Sequence, residues 1–186
     1  MKFLVFSDTH SDISAADAVL KKHPDADKIL HLGDYLADGI KIGTMAGKEV
    51  IGVKGNMDGG YKNRDIQVVE TEAGNILLTH GHTESVNFDL TKLYYLALEH
   101  GCTCALYGHT HLPFMNEEDG VLFFNPGSLS DPRGGRKASY GVLTADENGF
   151  SAAIHYLDDE LLKKKPAAAP RRSGLLRDML NNSDRF

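Results

Sequence analysis
The chain has 186 residues, 41% of them hydrophobic, which suffices for one well-filled core and leaves too little for two ordinary domains. Its net charge of −6 and the scarcity of basic clusters in its body argue against a surface built to hold nucleic acid or anionic lipid, since both need a positive footprint. The first apolar run, Phe3 to Phe6, is too short for a signal-peptide core or a membrane span, so a cytoplasmic protein is expected.

Lys2 to Phe6 reads as a buried strand, and it stops at Ser7-Asp8-Thr9-His10. Ser11 or Asp12 is suited to cap a helix running to about Lys22, with Ile13, Ala16, Val19 and Leu20 on one face. A second strand, Lys28 to Leu32, leads into a glycine-bounded loop from Gly33 to Gly39, then a short helical stretch and a third strand, Glu49 to Val53. This alternation implies parallel pairing, because a crossover is needed to return the chain in the same direction. After Gly60 the rhythm changes to hairpins. Ile66 to Thr71 pairs with Asn75 to Leu78, Phe114 to Asn116 with Val121 to Phe124, and Ser139 to Thr144 with Phe150 to Leu157. A helix from Asp89 to Glu99 separates the first two and ends at His100-Gly101. Cys102 and Cys104, one residue apart, are poorly placed for a disulfide and lack the second pair of a zinc knuckle; buried thiols on one strand are expected. Two mixed sheets packed face to face with helices outside accommodate both halves.

Five apolar runs stop at polar residues suited to metal binding, and in such sheets ligands collect beyond the carboxyl ends of the strands. The centre of the pattern is Gly108-His109-Thr110-His111, whose histidines, two apart on an extended segment, would face one site. With Asp8, His10, Asp34, Asn56 and His80 they make seven oxygen and nitrogen donors. That is too many for one tetrahedral ion and suits two ions sharing a carboxylate. The absence of thiolate favours manganese, iron, cobalt, nickel or zinc over copper(I), and so much imidazole disfavours magnesium; the donor set does not rank the five, and manganese is the expected cofactor. Two divalent ions against two aspartates and a bridging hydroxide leave the site at about +1, an attraction for a phosphate ester inside an acidic protein. Attack of the bridging hydroxide on phosphorus is the chemistry such a pair would run. Singly, Asp8, Asp34 and Asn56 are ordinary helix caps or turn closers; it is their order with four histidines that favours metal. His31 is expected as a core group beside the site rather than a ligand.

The ordered set Asp8-x-His10, Gly33-Asp34, Gly55-Asn56, Thr79-His80-Gly81-His82 and Gly108-His109-Thr110-His111 resembles the calcineurin-like metallophosphoesterases. Phe124-Asn125-Pro126-Gly127-Ser128, with Ser139-Tyr140-Gly141, is similar to the small prokaryotic YfcE-type phosphodiesterase branch. The resemblance implies a four-layer α/β/β/α sandwich over residues 1–157. It also implies that Asp8, His10 and His111 hold one ion, that Asn56, His80 and His109 hold the other, and that Asp34 bridges them.

Two departures bear on the reaction. Where many members have Gly-Asn-His, with the histidine protonating the leaving oxygen, this chain has Gly55-Asn56-Met57, and a thioether donates no proton. Either His82 substitutes, or good substrates have leaving groups that need little help, and Asp58 is left to close a turn. Gly33-Asp34-Tyr35 also lacks the Asp-Arg pair of the protein Ser/Thr phosphatases, which favours a small monoanionic diester over a dianionic monoester. Asn56, Met57 and Arg133 are candidate substrate-lining residues. The alternatives are a nucleotide phosphomonoesterase or nuclease, and a non-catalytic scaffold like the retromer-type subunits of this fold. Residues 158–186 form a basic linker followed by an apolar stripe, Leu175, Leu176, Met179 and Leu180, which either docks on its own domain or clasps a neighbour in a homo-oligomer.

Overall fold
The computed structural model describes residues 1–60, 62 and 65–158. The first five-stranded sheet runs in the order β10-β9-β1-β2-β3, with β1 Lys2–Phe6, β2 Lys28–His31, β3 Val50–Gly52, β9 Ser139–Asp146 and β10 Gly149–Tyr156. The second runs β4-β5-β6-β8-β7, with β4 Ile66–Thr71, β5 Gly74–Thr79, β6 Cys102–Leu106, β7 Pro113–Glu118 and β8 Val121–Pro126. β1, β2 and β3 pair in parallel, as do β5 with β6 and β6 with β8, while the expected hairpins are antiparallel.

Alternate residues of the apolar strands serve two different cores, which is why the runs are continuous rather than alternating. Phe3, Val5, Leu30 and Leu32 meet Ile76, Leu78, Cys104, Leu106 and Phe124 between the sheets. Leu4, Phe6 and Ile29 face the other way, onto α1 (Ala16–Lys22) and α2 (Leu36–Ala46). Leu77, Ala105 and Phe123 pack on Leu93 and Ala97 of α3 (Thr91–Glu99). The result is the expected α/β/β/α sandwich. Both cysteines are buried and free, and burial pushes each thiol up.

The helix starts differ from the expected ones. α1 begins at Ala16 instead of Ser11 or Asp12, because Asp12 closes its own turn by accepting the N–H and hydroxyl of Ser14, and Ser11 sits at φ 67°. α2 begins inside the expected Gly33 to Gly39 loop. Its first-turn donors are met from outside: Asp58 accepts the N–H groups of Tyr35 (3.1 Å), Leu36 (2.8 Å) and Gly55 (2.9 Å). Asp58 does close a turn, and it also caps a helix 22 residues earlier in the chain. Residues 159–186, and with them the apolar stripe, lie outside the described residues.

Candidate metal centre
The carboxyl ends of β1, β2, β3, β5 and β6 carry the donors into one rim, and backbone bonds stitch the loops together: Asp8 N–H to Gly33 O (3.0 Å) and Gly108 N–H to His80 O (3.0 Å). The loops meet closely. A methyl group on Gly33 would stand 2.7 Å from Gly55 N and 2.8 Å from His80 Nδ1, and the φ of +95° there favours glycine independently.

One group of donors is tight. Asp8, His10, Asp34 and His111 place ligand atoms all within 4.8 Å of one another. His10 Nε2 and His111 Nε2 stand 3.3 Å apart, and His111 Nε2 is 3.2 Å from Asp8 Oδ1. The second group is built around His80, whose Nε2 lies 3.1 Å from Asn56 Oδ1 and 3.4 Å from Asp34 Oδ1, with the His109 ring 5.2 Å away centroid to centroid. Asp34 faces both groups, since its Oδ2 lies 3.8 Å from His10 Nε2. The His-x-His pair does not behave as an extended segment. His109 and His111 both adopt positive φ, 66° and 58°, so the chain coils between them and sends one ring to each group.

Two imidazoles are fixed in tautomer from behind. His80 Nδ1 lies 2.7 Å from Leu32 O and His111 Nδ1 lies 2.6 Å from Asp131 O, so each Nδ1–H donates outward and each Nε2 turns its lone pair inward. Asp8 Oδ2 accepts from the Ser7 hydroxyl (2.6 Å) and the His109 N–H (3.0 Å), whereas buried Asp8 Oδ1 has no hydrogen-bond donor among the described residues. A buried carboxylate oxygen without a donor, facing imidazole lone pairs and a second carboxylate, fits a divalent cation. Burial opposes ionisation of Asp8, but the His111 contact, His80 and the Ser7 hydroxyl prevail and hold its carboxyl below the usual range. Burial likewise pulls His111 down, and its partner Asp8 more than reverses this.

The other sequence candidates are placed as follows. Met57 is exposed, and its N–H donates to Asp34 Oδ1 at 2.9 Å, so it orients the Asp34 carboxylate through the backbone. His82 lies beside His80 and His109, at 5.4 and 6.1 Å between ring centroids, with a buried Nδ1 that has no partner among the described residues. Burial, then His80, lowers its pKa. Arg133 is exposed, and its N–H donates to His111 O (3.4 Å). His31 is fully buried and bonded to Thr9 rather than to the donor groups.

Sequence reasoning did not identify Asn87, whose side-chain amide lies 2.8 Å from His109 Nε2; nothing in a lone Asn in a turn signals this. The Asn125 to Ser128 motif proves to be a clamp. Asn125 donates to Gly108 O (2.9 Å) and Thr110 Oγ1 (3.1 Å), and the Ser128 hydroxyl donates to Asp8 O (2.7 Å), so the end of β8 and the turn after it fix two donor loops at once.

A two-sheet sandwich whose strand ends gather carboxylates and imidazoles has the architecture of a metallophosphoesterase. Residues 1–148 match the calcineurin-like phosphoesterase superfamily domain, and the chain belongs to that family. The phosphodiesterase YfcE of Escherichia coli K12 is 32% identical over 170 residues, covering 78% of this chain and 89% of that protein. The crystal structure of a predicted phosphoesterase from Streptococcus pneumoniae TIGR4 superposes with a TM-score of 0.70 at 33% identity, over 83% of this chain and 88% of that one. A Vps29 double mutant from Entamoeba histolytica superposes at 0.72 over 86% and 94% of the two chains, but at 22% identity, a likeness of fold alone.

Proposed function
We propose that the protein is a dinuclear metal-dependent phosphodiesterase acting on small diesters. The observation that carries this reading is Asp34, with one carboxylate oxygen toward His10 and the other toward His80. Asp8, His10 and His111 would hold one ion, Asn56, His80 and His109 the second, and Asp34 would be shared. When bound, such ions, manganese before iron, nickel, cobalt or zinc, acidify water and offset charge on phosphoryl oxygens.

The chain's own groups set the rest. Hydrogen bonds donated by the His80 and His111 Nδ1–H groups to Leu32 O and Asp131 O keep the Nε2 lone pairs turned inward, and the Met57 N–H keeps Asp34 in place. Tyr35 stands where an arginine fork for a dianion would be, which favours a monoanionic diester over a phosphomonoester. His82 is the group assigned to protonate the leaving oxygen. Burial, then His80, favours its neutral form, and a neutral His82 leaves the leaving group to depart unaided. The complete donor set favours an enzyme over a binding scaffold of the same fold.

We assign the domain to residues 1–157, the cytoplasm as its compartment and a homo-oligomer as its state. Among the described residues, no helix is long and apolar enough to cross a membrane.

The test is hydrolysis of an activated aryl diester with added manganese. His80→Ala and Asp34→Asn should each lose ~10²-fold or more in kcat/KM. His82→Ala should cost far more with an alkyl leaving group than with nitrophenolate. Equal activity of wild type, His80→Ala and Asp34→Asn removes the enzyme reading.

A further inference from the structure
Beside the donor cluster, the turn preceding α3 and the start of β7 enclose a groove of about 410 Å³. Its walls include Phe88, Leu112 and Phe114, with Tyr107 and Arg136 also lining it. Phe88 is 89% exposed, the most exposed of the large hydrophobic side chains among the described residues, and Leu112 and Phe114 are each 40% exposed. Exposed rings on both sides of a groove are costly to leave in water, and here they adjoin the metal-binding rim. The groove is continuous with that rim at two residues. Asn87 lines it while its amide touches His109 Nε2 at 2.8 Å, and Thr110, between the two histidines, lines it as well.

Building on the phosphodiesterase reading, we propose that this groove is a substrate subsite that binds a planar aromatic ester group of the diester, such as a nucleoside base or an aryl ring. A diester carries two ester groups, and with its phosphoryl group at the donor cluster at least one of them must lie along the adjoining surface. Phe88 and Phe114 offer ring faces or edges for stacking. Arg136 makes no ion pair among the described residues, and its guanidinium is available to stack on the ring or to meet the phosphoryl charge. Asp89, the acid lining the groove, is committed to its own helix, where Oδ1 accepts the Thr91 N–H at 2.9 Å. The volume lies in the range of pockets that take a single small organic group.

The test reads binding separately from turnover. The manganese-loaded full chain is titrated calorimetrically with two non-hydrolysable phosphinates, benzyl(methyl)phosphinate and ethyl(methyl)phosphinate, in which carbon replaces every ester oxygen of the corresponding diester. Wild type should bind the benzyl compound about tenfold more tightly, and the ratio should fall to about twofold or less in Phe88→Ala, a change at an exposed side chain that leaves folding intact. Equal affinities in wild type, a ratio unchanged in Phe88→Ala, or no binding of either phosphinate overturns the subsite. So does sedimentation showing that wild type self-associates and Phe88→Ala dissociates it with the ratio unmoved, because the groove would then be covered by a second copy. A preserved aryl ratio without hydrolysis of any diester removes the phosphodiesterase reading and leaves the subsite standing; hydrolysis without the ratio does the reverse.

Discussion

His31 couples the floor of the donor cluster to pH through a relay of side chains. Its Nδ1 accepts the Gly33 N–H at 3.3 Å, so Nε2 carries the proton and donates to Thr9 Oγ1 at 3.3 Å; Thr9 in turn donates to Asp38 at 3.0 Å. Burial, opposed by the charges of Asp8, Asp58 and Asp38, lowers the imidazole to about 4. A histidine whose folded pKa lies below its unfolded value must stay neutral to remain folded. Its contribution is therefore complete above about pH 6.5 and is lost as pH falls toward 4. The shift corresponds to about 3 kcal/mol. Denaturant unfolding between pH 7 and 4 should show a steeper loss of stability in wild type than in His31→Gln, and parallel slopes would show that His31 does not titrate on unfolding. At this scale the sequence was most legible in residue type and least in direction. Asp8, His10, Asp34, His80, His109 and His111 could be named because an acid or imidazole directly after an apolar strand is unusual. That His109 and His111 diverge could not, because left-handed backbone at non-glycine positions is imposed by neighbouring loops and leaves no mark in composition.

The helices depend on partners distant in sequence, and α2 is the clearest case. It has no capping side chain of its own, since Tyr35 at its N-terminus sits at φ 75°. Asp58, from the loop after β3, supplies the cap and simultaneously ties the Gly55 turn beneath Asp34. Asp58→Ala should therefore cost about 1–2 kcal/mol in unfolding free energy, in the range of a lost cap. Asp58→Asn should recover part of it, because an amide oxygen still accepts. Urea titration of the three proteins checks this, and an Asp58→Ala variant as stable as wild type removes Asp58 from the role. The strands were legible because β-branched and aromatic runs bounded by glycine and asparagine need few tertiary partners to be recognised. The start of α2 was not, because the donors of its first turn are satisfied by Asp58, which the local pattern does not contain. The Asn125 to Ser128 clamp belongs here too: its sequence is a turn signal, while its role of tying Asp8 to Gly108 exists only once both sheets are in place.

At the scale of the molecule, the donor cluster works against the stability of the fold that holds it. Asp8 and Asp34 are 0% and 3% exposed and share a rim with crowded imidazoles, His10 Nε2 and His111 Nε2 standing 3.3 Å apart. Asp8, His10, Asp34, His109 and His111 all sit at positive φ, each a conformation costing about 1–2 kcal/mol for a side chain with a Cβ. Such strain persists where the rest of the structure over-determines it, and here two sheets and the clamp from β8 do so. A ligand that binds only the folded arrangement adds stability by mass action. At a hundredfold excess over Kd this is about 2.7 kcal/mol per site, or a rise of about 5–11 °C in Tm for a chain of this size. Manganese should therefore raise Tm in wild type and chelator should reverse it. Asp34→Asn removes one buried negative charge and exchanges one of its two oxygens for an amide nitrogen that cannot ligate a cation, so the metal-free variant should melt at or above metal-free wild type, while most of the manganese increment disappears. The opposite signs of those two changes distinguish a shared metal ligand from a structural aspartate, whose loss would lower Tm with or without metal. An equal manganese increment in both proteins would mean that Asp34 is not where the two halves of the site meet.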